Sequence, residues 1–487
     1  MALHGRRQAI RRWAPLVALM LLTSACGLRV SKSELQAAQQ GGGGGASGQL
    51  APGQSASNGS GGNAGAAGGG PATAGATSGG SAGGATGAAG PSSSGSNTAA
   101  APPGGNGGPT DVGVTGDTIL VGNVSDLGGP VPGLFQGGPY GTAAYFNYIN
   151  SQGGIFGRKL KLISDDDGLQ CSQNEADYQD LVGKVFGFVG SWSLDDNCGA
   201  QVLSGTPNVP DVSEALSPEA QALNGNINVA PFGKGATLGP FLYWKSKYPT
   251  AVAKMGTIVG NQPSAVAAWH YQMAAAESVG YHFVYEDDFP PAQNNFTPDV
   301  IKMKAEGVQG VYIISVNAPD MAEFSMAAAQ QNWHPQFIAS GISYFGNYIQ
   351  ESGGPQSVEG QYINAANARF LGEDAGAIPE VALFDKWMQQ SYPNFPMDQF
   401  AANAWANAAL FVQMLRQVGP HLTRAAVVNA LKQVHSFNDN GMVTPADPAA
   451  KNPSNCYLLM VIHGGQYQRL EDPPAGFRCD APYFKES

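Results

Sequence analysis

No stretch of the chain after residue 25 reaches eighteen consecutive apolar residues, so no later segment is built to cross a bilayer as a helix. Cysteine is scarce, with five in 487 residues: Cys26, Cys171, Cys198, Cys456 and Cys479. No CxxC or HxxxH spacing occurs, which removes the usual zinc patterns. Beyond the Gly-rich stretch described below there is no GxSxG elbow, HExxH or GxxxxGK[ST]. The seven histidines are scattered, at His4, His270, His282, His334, His421, His435 and His463. Nothing pairs a nucleophile with a base, so no enzyme, no cofactor and no metal are expected. Positive charge is also short. Lys and Arg total 25 against 36 Asp and Glu, a formal charge of −11, and four of the arginines belong to the first dozen residues. So acidic a chain is a poor partner for nucleic acid, whose phosphates need Lys and Arg. From Gly41 to Pro109 charged and aromatic residues vanish altogether, leaving almost only Gly, Ala, Ser, Asn, Thr and Pro.

What is present begins with an export signal over residues 1–25. Arg6, Arg7, Arg11 and Arg12 form a basic head, Trp13–Leu22 an apolar run, and Thr23, Ser24 and Ala25 a small-residue end before Cys26. Small residues before a Cys resemble the lipobox of bacterial lipoproteins, which implies that Cys26 is acylated and becomes the new N-terminus. That family prefers Leu three places before the Cys, where Thr23 stands here with Leu22 one place further back. An ordinary cleaved secretory signal is the alternative. Acyl chains anchor at roughly 0.8 kcal/mol per buried methylene. The expected location is therefore the outer face of the cytoplasmic membrane. Once Cys26 is set aside, four cysteines remain in an exported chain, where disulfides persist. The simplest connectivity is two local pairs, Cys171–Cys198 and Cys456–Cys479, each worth about 3 kcal/mol in the chain-entropy account.

Residues 26–109 read as an anchored N-terminus and a disordered tether, unable to bury enough apolar surface to offset ordering entropy. As a flexible coil the Gly-rich part spans on the order of 45 Å. The folded part is then Thr110 to Ser487, long enough for two lobes. Short apolar runs alternate with helical stripes. Strands are expected at Thr118–Val124, Lys159–Ile163, Phe186–Val189, Met255–Val259, Tyr281–Tyr285 and Gly310–Ile314. Between them lie helical stripes, such as Ala144, Tyr145, Tyr148 and Ile149, or Val266, Trp269, Met273 and Ala276. Two more follow at Trp405–Leu415 and Val427–Val434. Such alternation gives an α/β fold with parallel sheets covered on both faces. Asp165–Asp167 has the residue type for calcium but lacks the spaced loop and Gly of a calcium cradle. A strand end with solvated or capping acids is the better reading, and Glu286–Asp288 reads the same way.

Four stretches, in order, resemble the type I periplasmic solute-binding proteins of ABC importers, the branched-chain amino acid-binding family. They are Ile119–Pro130; Asn147–Leu160 with Ser164–Asp167; Phe188–Ser191; and Pro207–Ser213 with Ser217–Glu219. The second, with its Gly-Gly-Ile-Phe-Gly-Arg core, is the most specific. The resemblance spans Thr110 to Leu470. It implies two doubly wound lobes joined by three crossing strands, near Asn228–Phe232, Gln361–Ala365 and Gly441–Pro445. Lobe 1 is expected over 110–231 plus 366–441 and lobe 2 over 232–365 plus 442–487. Cys171 and Cys198 flank positions where the family often carries a first-lobe disulfide. The implied function is capture of a small polar solute between the lobes, the implied partners being an ABC permease and the solute itself, with the chain a monomer.

On the first lobe the resemblance places a ligand carboxylate at Ser191, Trp192 and Ser193 and at the loop Ser213, Glu214, Ala215 and Ser217, with Ser125 on the opening loop. On the second lobe Asn261, Gln262, Asn317 and Tyr344 stand at the positions that face the ligand, with Ser264 beside them. No acid occupies the usual ammonium-binding place, which leaves an amide, a short peptide, a urea-like solute or an aromatic acid open beside an amino acid. A ligand-binding sensor or adaptor of the same fold is the closer alternative, and an exported hydrolase the more distant one.

Overall fold

Apolar runs and helical stripes become two parallel-stranded sheets in the structure, a computed structural model that describes residues 98–291, 293–313, 317–470 and 475–486. The expected export signal, Cys26 and the Gly-rich stretch as far as residue 97 lie outside the described residues. The first sheet has the order β2 (Lys159–Asp166), β1 (Thr118–Ser125), β3 (Phe188–Val189), β4 (Asp211–Val212). Ile119, Val121 and Val124 of β1 are fully buried, as a central parallel strand covered on both faces requires. β1 pairs with β2 from Thr118 opposite Lys159 to Ser125 opposite Asp166. On its other side Gly122 meets Phe188 of β3. The chain therefore leaves β1 toward one edge and returns on the other side. The loops after β1 and β3 diverge, and a crevice opens at their carboxyl ends.

The second sheet comprises β6 (Met255–Gly260), β7 (Phe283–Phe289), β8 (Gly310–Ile313), β9 (Gln336–Ser340), β10 (Tyr362–Ala365), β11 (Leu458–His463) and β12 (Gln466–Arg469), in the order β12-β11-β10-β9-β8-β6-β7. β6 to β10 run parallel, and β11 and β12 add an antiparallel edge. Here too the order reverses, with β7 and β8 on either side of β6. Glu286, Asp287 and Asp288 lie inside β7 and not at a strand end as expected. β7 is an edge strand, so its outward face can carry acids. A small antiparallel pair joins β5 (Gly235–Thr237) to β13 (Tyr483–Lys485).

One helix organises the first lobe. Gln399–Val418 starts at Asp398, whose carboxylate caps Ala401 N–H at 2.7 Å. It lies so close to the helix Gly137–Ser151 that a Cβ on Gly141 would sit 2.1 Å from the Ala401 carbonyl oxygen. On its other face, one turn apart, Asn403 and Asn407 hold two of the segments that cross between the lobes. Asn407 Oδ1 accepts from Val229 N–H at 3.0 Å, and Asn403 Oδ1 accepts from Asn367 Nδ2 at 2.6 Å. Asn367 in turn lies opposite Val443, with Ala368 N–H donating to Met442 O and Thr444 N–H to Ala366 O. The second crossing thus sits just past β10, slightly later than the expected Gln361–Ala365, which is itself spent on sheet pairing.

The expected start of the folded part at Thr110 is also late. Phe156 and Gly157 N–H donate to the carbonyls of Thr98 and Ala99, and Asn106 Nδ2 donates to Gly116 O and Phe156 O. The fully buried Arg158, from the Gly-Gly-Ile-Phe-Gly-Arg stretch, explains the attachment. Its guanidinium donates to the carbonyls of Asn106, Gly108, Thr115 and Pro420. A buried cation must be solvated by oxygen from the chain itself, and residues 106–108 supply part of that shell. Cys171–Cys198 and Cys456–Cys479 are bonded, in the local pairing expected. The described residues belong to one compact unit.

Candidate ligand-binding cleft

A cavity of about 360 Å³ lies between the sheets, at the carboxyl ends of their parallel strands. This is the size range of small-molecule sites. Val229–Phe232, Asn364–Asn367 and Thr444 from the crossing segments form one boundary. The first-lobe wall is apolar. Phe135, Trp192 and Phe400 pack as a triad with ring centroids 4.8–5.5 Å apart. Leu134, Leu194 and Leu216 extend it, and Ile342, from the loop after β9, packs onto it from the second lobe. Ser264 Oγ donates to the Leu194 carbonyl at 3.2 Å, a direct hydrogen bond from one lobe to the other.

Of the residues singled out from the sequence, Trp192, Gln262, Ser264 and Asn317 line the cavity. The hydroxyls of the first lobe stand behind the wall. Ser125 Oγ donates to Asn123 Oδ1 and accepts from Trp192 N–H. Ser191 Oγ accepts from Val124 N–H, and Ser213 Oγ from Ser191 N–H. Ser193 Oγ accepts from Asp195 N–H and Asn174 Nδ2. Ser217 caps the helix Pro218–Ala222 through Ala220 N–H. Ala215 is buried in a small apolar cluster. Asn261 is exposed and gives its N–H to Phe289 O. Tyr344 is fully buried away from the cavity, bonded to Glu373 and packed on Phe370 and Tyr467.

Two carboxylates bind the strand-end loops together. Asp126 accepts from Leu194 N–H and Leu169 N–H. Burial and the adjoining Asp167 push its carboxyl well above the ordinary range. Asp196 accepts from Leu216 N–H at 2.6 Å and Ser217 N–H at 3.1 Å. Burial raises it to about 6 despite those donors. Asp166 accepts from the N–H groups of Leu127, Gly128 and Gly168, so the acidic triplet serves the loop it borders. Glu214 is buried beside Asn407, and burial lifts its carboxyl to about 8.

The second-lobe wall is more polar. Asn317 caps the helix Ala318–Gln330 and also donates to Asp320. Asp320 lines the cavity, and burial, aided by Glu323, pushes it up to about 7. Two groups in side chains of the wall are buried without a partner: the Trp192 indole N–H and the Ser340 hydroxyl.

The profile of a family described as periplasmic binding protein matches residues 118–466. The chain belongs to the periplasmic binding protein family. Similar solved structures agree on the fold. A fatty acid ABC transporter substrate-binding protein from Thermomonospora curvata superposes with a TM-score of 0.64 at 18% identity, over 75% of this chain and 95% of that one. A possible leucine/isoleucine/valine-binding protein from Rhodopirellula baltica gives 0.62 at 16%, over 73% and 96%. A leucine-binding protein from Thermotoga maritima gives 0.60 at 13%, over 72% and 98%. No curated protein sequence matches. Periplasmic binding proteins of this type bind small solutes outside the cytoplasm for ABC transporters. Within this member, sequence reasoning missed Phe135, Phe400 and Ile342, while Asp320, on the same second-lobe loop as Asn317, was within its reach. Phe400 has the clearest available signal, since it opens the same helix whose Asn403 and Asn407 hold the crossings.

Proposed function

We propose that this protein is the solute receptor of an ABC importer, held at the outer face of the cytoplasmic membrane by acyl chains on Cys26 and working as a monomer. It divides at the three crossing segments into two lobes, captures one small organic solute between them, and passes it unaltered to the permease. One observation carries this reading: a single cavity is walled by strand-end loops of both sheets and bounded by the segments that join them. Such a site changes shape when the lobes move about those segments, as hinge closure requires. Gln262 and Asn317 of the wall offer hydrogen bonds, and Trp192 offers a ring face.

The test is a thermal-shift screen of the mature chain against amino acids, amides, short peptides, polyamines, aromatic acids, sugars and alkyl compounds. A ligand at a hundred times its Kd adds about 2.7 kcal/mol of stability. The expected result is a clear rise in Tm with one chemical class. A flat response across the whole panel overturns the receptor reading. Loss of labelled palmitate incorporation on Cys26→Ser tests the anchor.

A further inference from the structure

The first-lobe loops hold donors that suit an anion, yet the protein uses them itself. The amides of Leu216 and Ser217 converge on the carboxylate of Asp196, and that of Leu194 on Asp126. Trp192 N–H is taken by Ser125, Ser191 N–H by Ser213 and Asp195 N–H by Ser193. The chain's own carboxylates and hydroxyls therefore stand where a ligand carboxylate would need donors. Displacing Asp196 would leave a buried acid without its partners, which costs more than a ligand's equivalent bonds return.

The remaining wall points the same way. Among the described residues, two charged side chains line the cavity, Asp320 and Lys234, and Lys234 is exposed. Asp320 accepts from the Asn317 amide, with no cation beside it among the described residues. Opposite stands the continuous apolar face of Phe135, Trp192 and Phe400. Phe232, on the first crossing, also lines the cavity and is 40% exposed, unusual for so large an apolar side chain. The Trp192 indole N–H and the Ser340 hydroxyl, both in side chains of the wall, carry no formal charge.

We propose that the cleft takes an uncharged amphipathic molecule, with an extended apolar body lying on the Phe135–Trp192–Phe400 face and neutral hydrogen-bonding groups facing the polar second-lobe wall, in place of a zwitterionic amino acid. This rests on the receptor reading above and names its substrate class. A hydrocarbon body gains from each methylene it buries, while a carboxylate would compete with Asp126 and Asp196 for the amides of Leu194, Leu216 and Ser217 and would face the acid Asp320 on the second lobe.

The experiment titrates the mature chain by calorimetry with hexanamide, octanamide and decanamide, with decanoate as the charged match of the last, and with leucine and isoleucine. The expected result is a Kd that tightens with chain length, by up to about fourfold per methylene. Decanoate binds more weakly than decanamide, and the two amino acids do not bind. Trp192→Ala weakens decanamide at least tenfold. Trp192→Phe, which keeps the apolar face, preserves the chain-length dependence and serves should the alanine variant not fold. Tighter binding of leucine, isoleucine or decanoate than of decanamide, or a Kd indifferent to chain length, overturns the proposal. In the first of these cases the receptor reading stands and only the class falls; no binding by any compound of the broader panel removes the receptor reading itself.

Discussion

Glu214 is buried, and one of its carboxyl oxygens meets no partner at all. Burial raises its pKa to about 8, while the Asn407 amide acts weakly in the opposite direction. The native state therefore holds this proton more tightly than the unfolded chain does. Its contribution to stability is complete below the ordinary carboxyl range near 4.5 and is lost as pH climbs toward 8, by at most about 1.4 kcal/mol per pH unit. Glu214→Gln keeps the acceptor for Asn407 and removes the titration. Denaturant unfolding at pH 5, 6.5 and 8 should show the variant gaining on the parent as pH rises, and a constant difference across the series contradicts the assignment. Arg158 is the complementary case, a cation kept charged by four backbone carbonyls. Arg158→Met leaves those oxygens unpaired and should cost at least about 3 kcal/mol. It should also open residues 98–109 to mild protease, which a merely local loss would not do.

At the scale of elements, the disulfide Cys171–Cys198 ties the start of the helix Cys171–Val182 to the helix Asp196–Ser204. The latter carries Asp196, which holds the loop through Leu216 and Ser217. Replacing both cysteines by serine should lower stability by about 3 kcal/mol, and proteolytic cuts within 190–217 should appear before cuts elsewhere. How far the elements could be read follows from their burial. β1, β6 and β8 announce themselves because a covered parallel strand is a nearly unbroken apolar run, and β2, at the sheet edge, through the alternation of Lys159, Leu160, Lys161 and Leu162. β4 has two residues, too few for periodicity, and β3, just as short, lies inside the expected Phe186–Val189. β12 alternates polar and apolar residues and β13 has three residues, so these margins carry little signal. The cleft shows a different limit. Resemblance brought Ser125, Ser191, Ser193, Ser213 and Ser217 to the right ends of the right strands. Whether a hydroxyl there faces a ligand or a neighbouring amide depends on which carboxylate folds back into the loop. Asp126 lies 68 positions from the Leu194 amide that it accepts from, a pairing that no local pattern encodes.

At the scale of the whole molecule, the question is which contacts join the lobes when a solute is held. Asn403 and Asn407 fix crossing segments to a first-lobe helix, so those segments move with that lobe and bending is left to the backbone beyond them. Ser264 Oγ to Leu194 O spans the cleft directly, and Ile342 adds an apolar contact to the same wall. Ser264 stands in the first turn of the helix Pro263–Ser278 and Ile342 in the short helical turn Gly341–Ser343 after β9, and neither contact depends on the crossings. Separating the lobes would break them, so they count toward the closed arrangement and should be linked to ligand affinity. A single hydrogen bond of this kind is worth about 0.5–1.5 kcal/mol. Ser264→Ala should therefore weaken the solute returned by the screen roughly two- to tenfold, mainly through faster release. Stability of the ligand-free protein should change by less than the binding energy does. Calorimetry on the variant, paired with its unfolding curve, reads both quantities. An affinity equal to the parent's would mean that this contact persists whether or not a solute is bound, and would place the moving boundary elsewhere between the lobes.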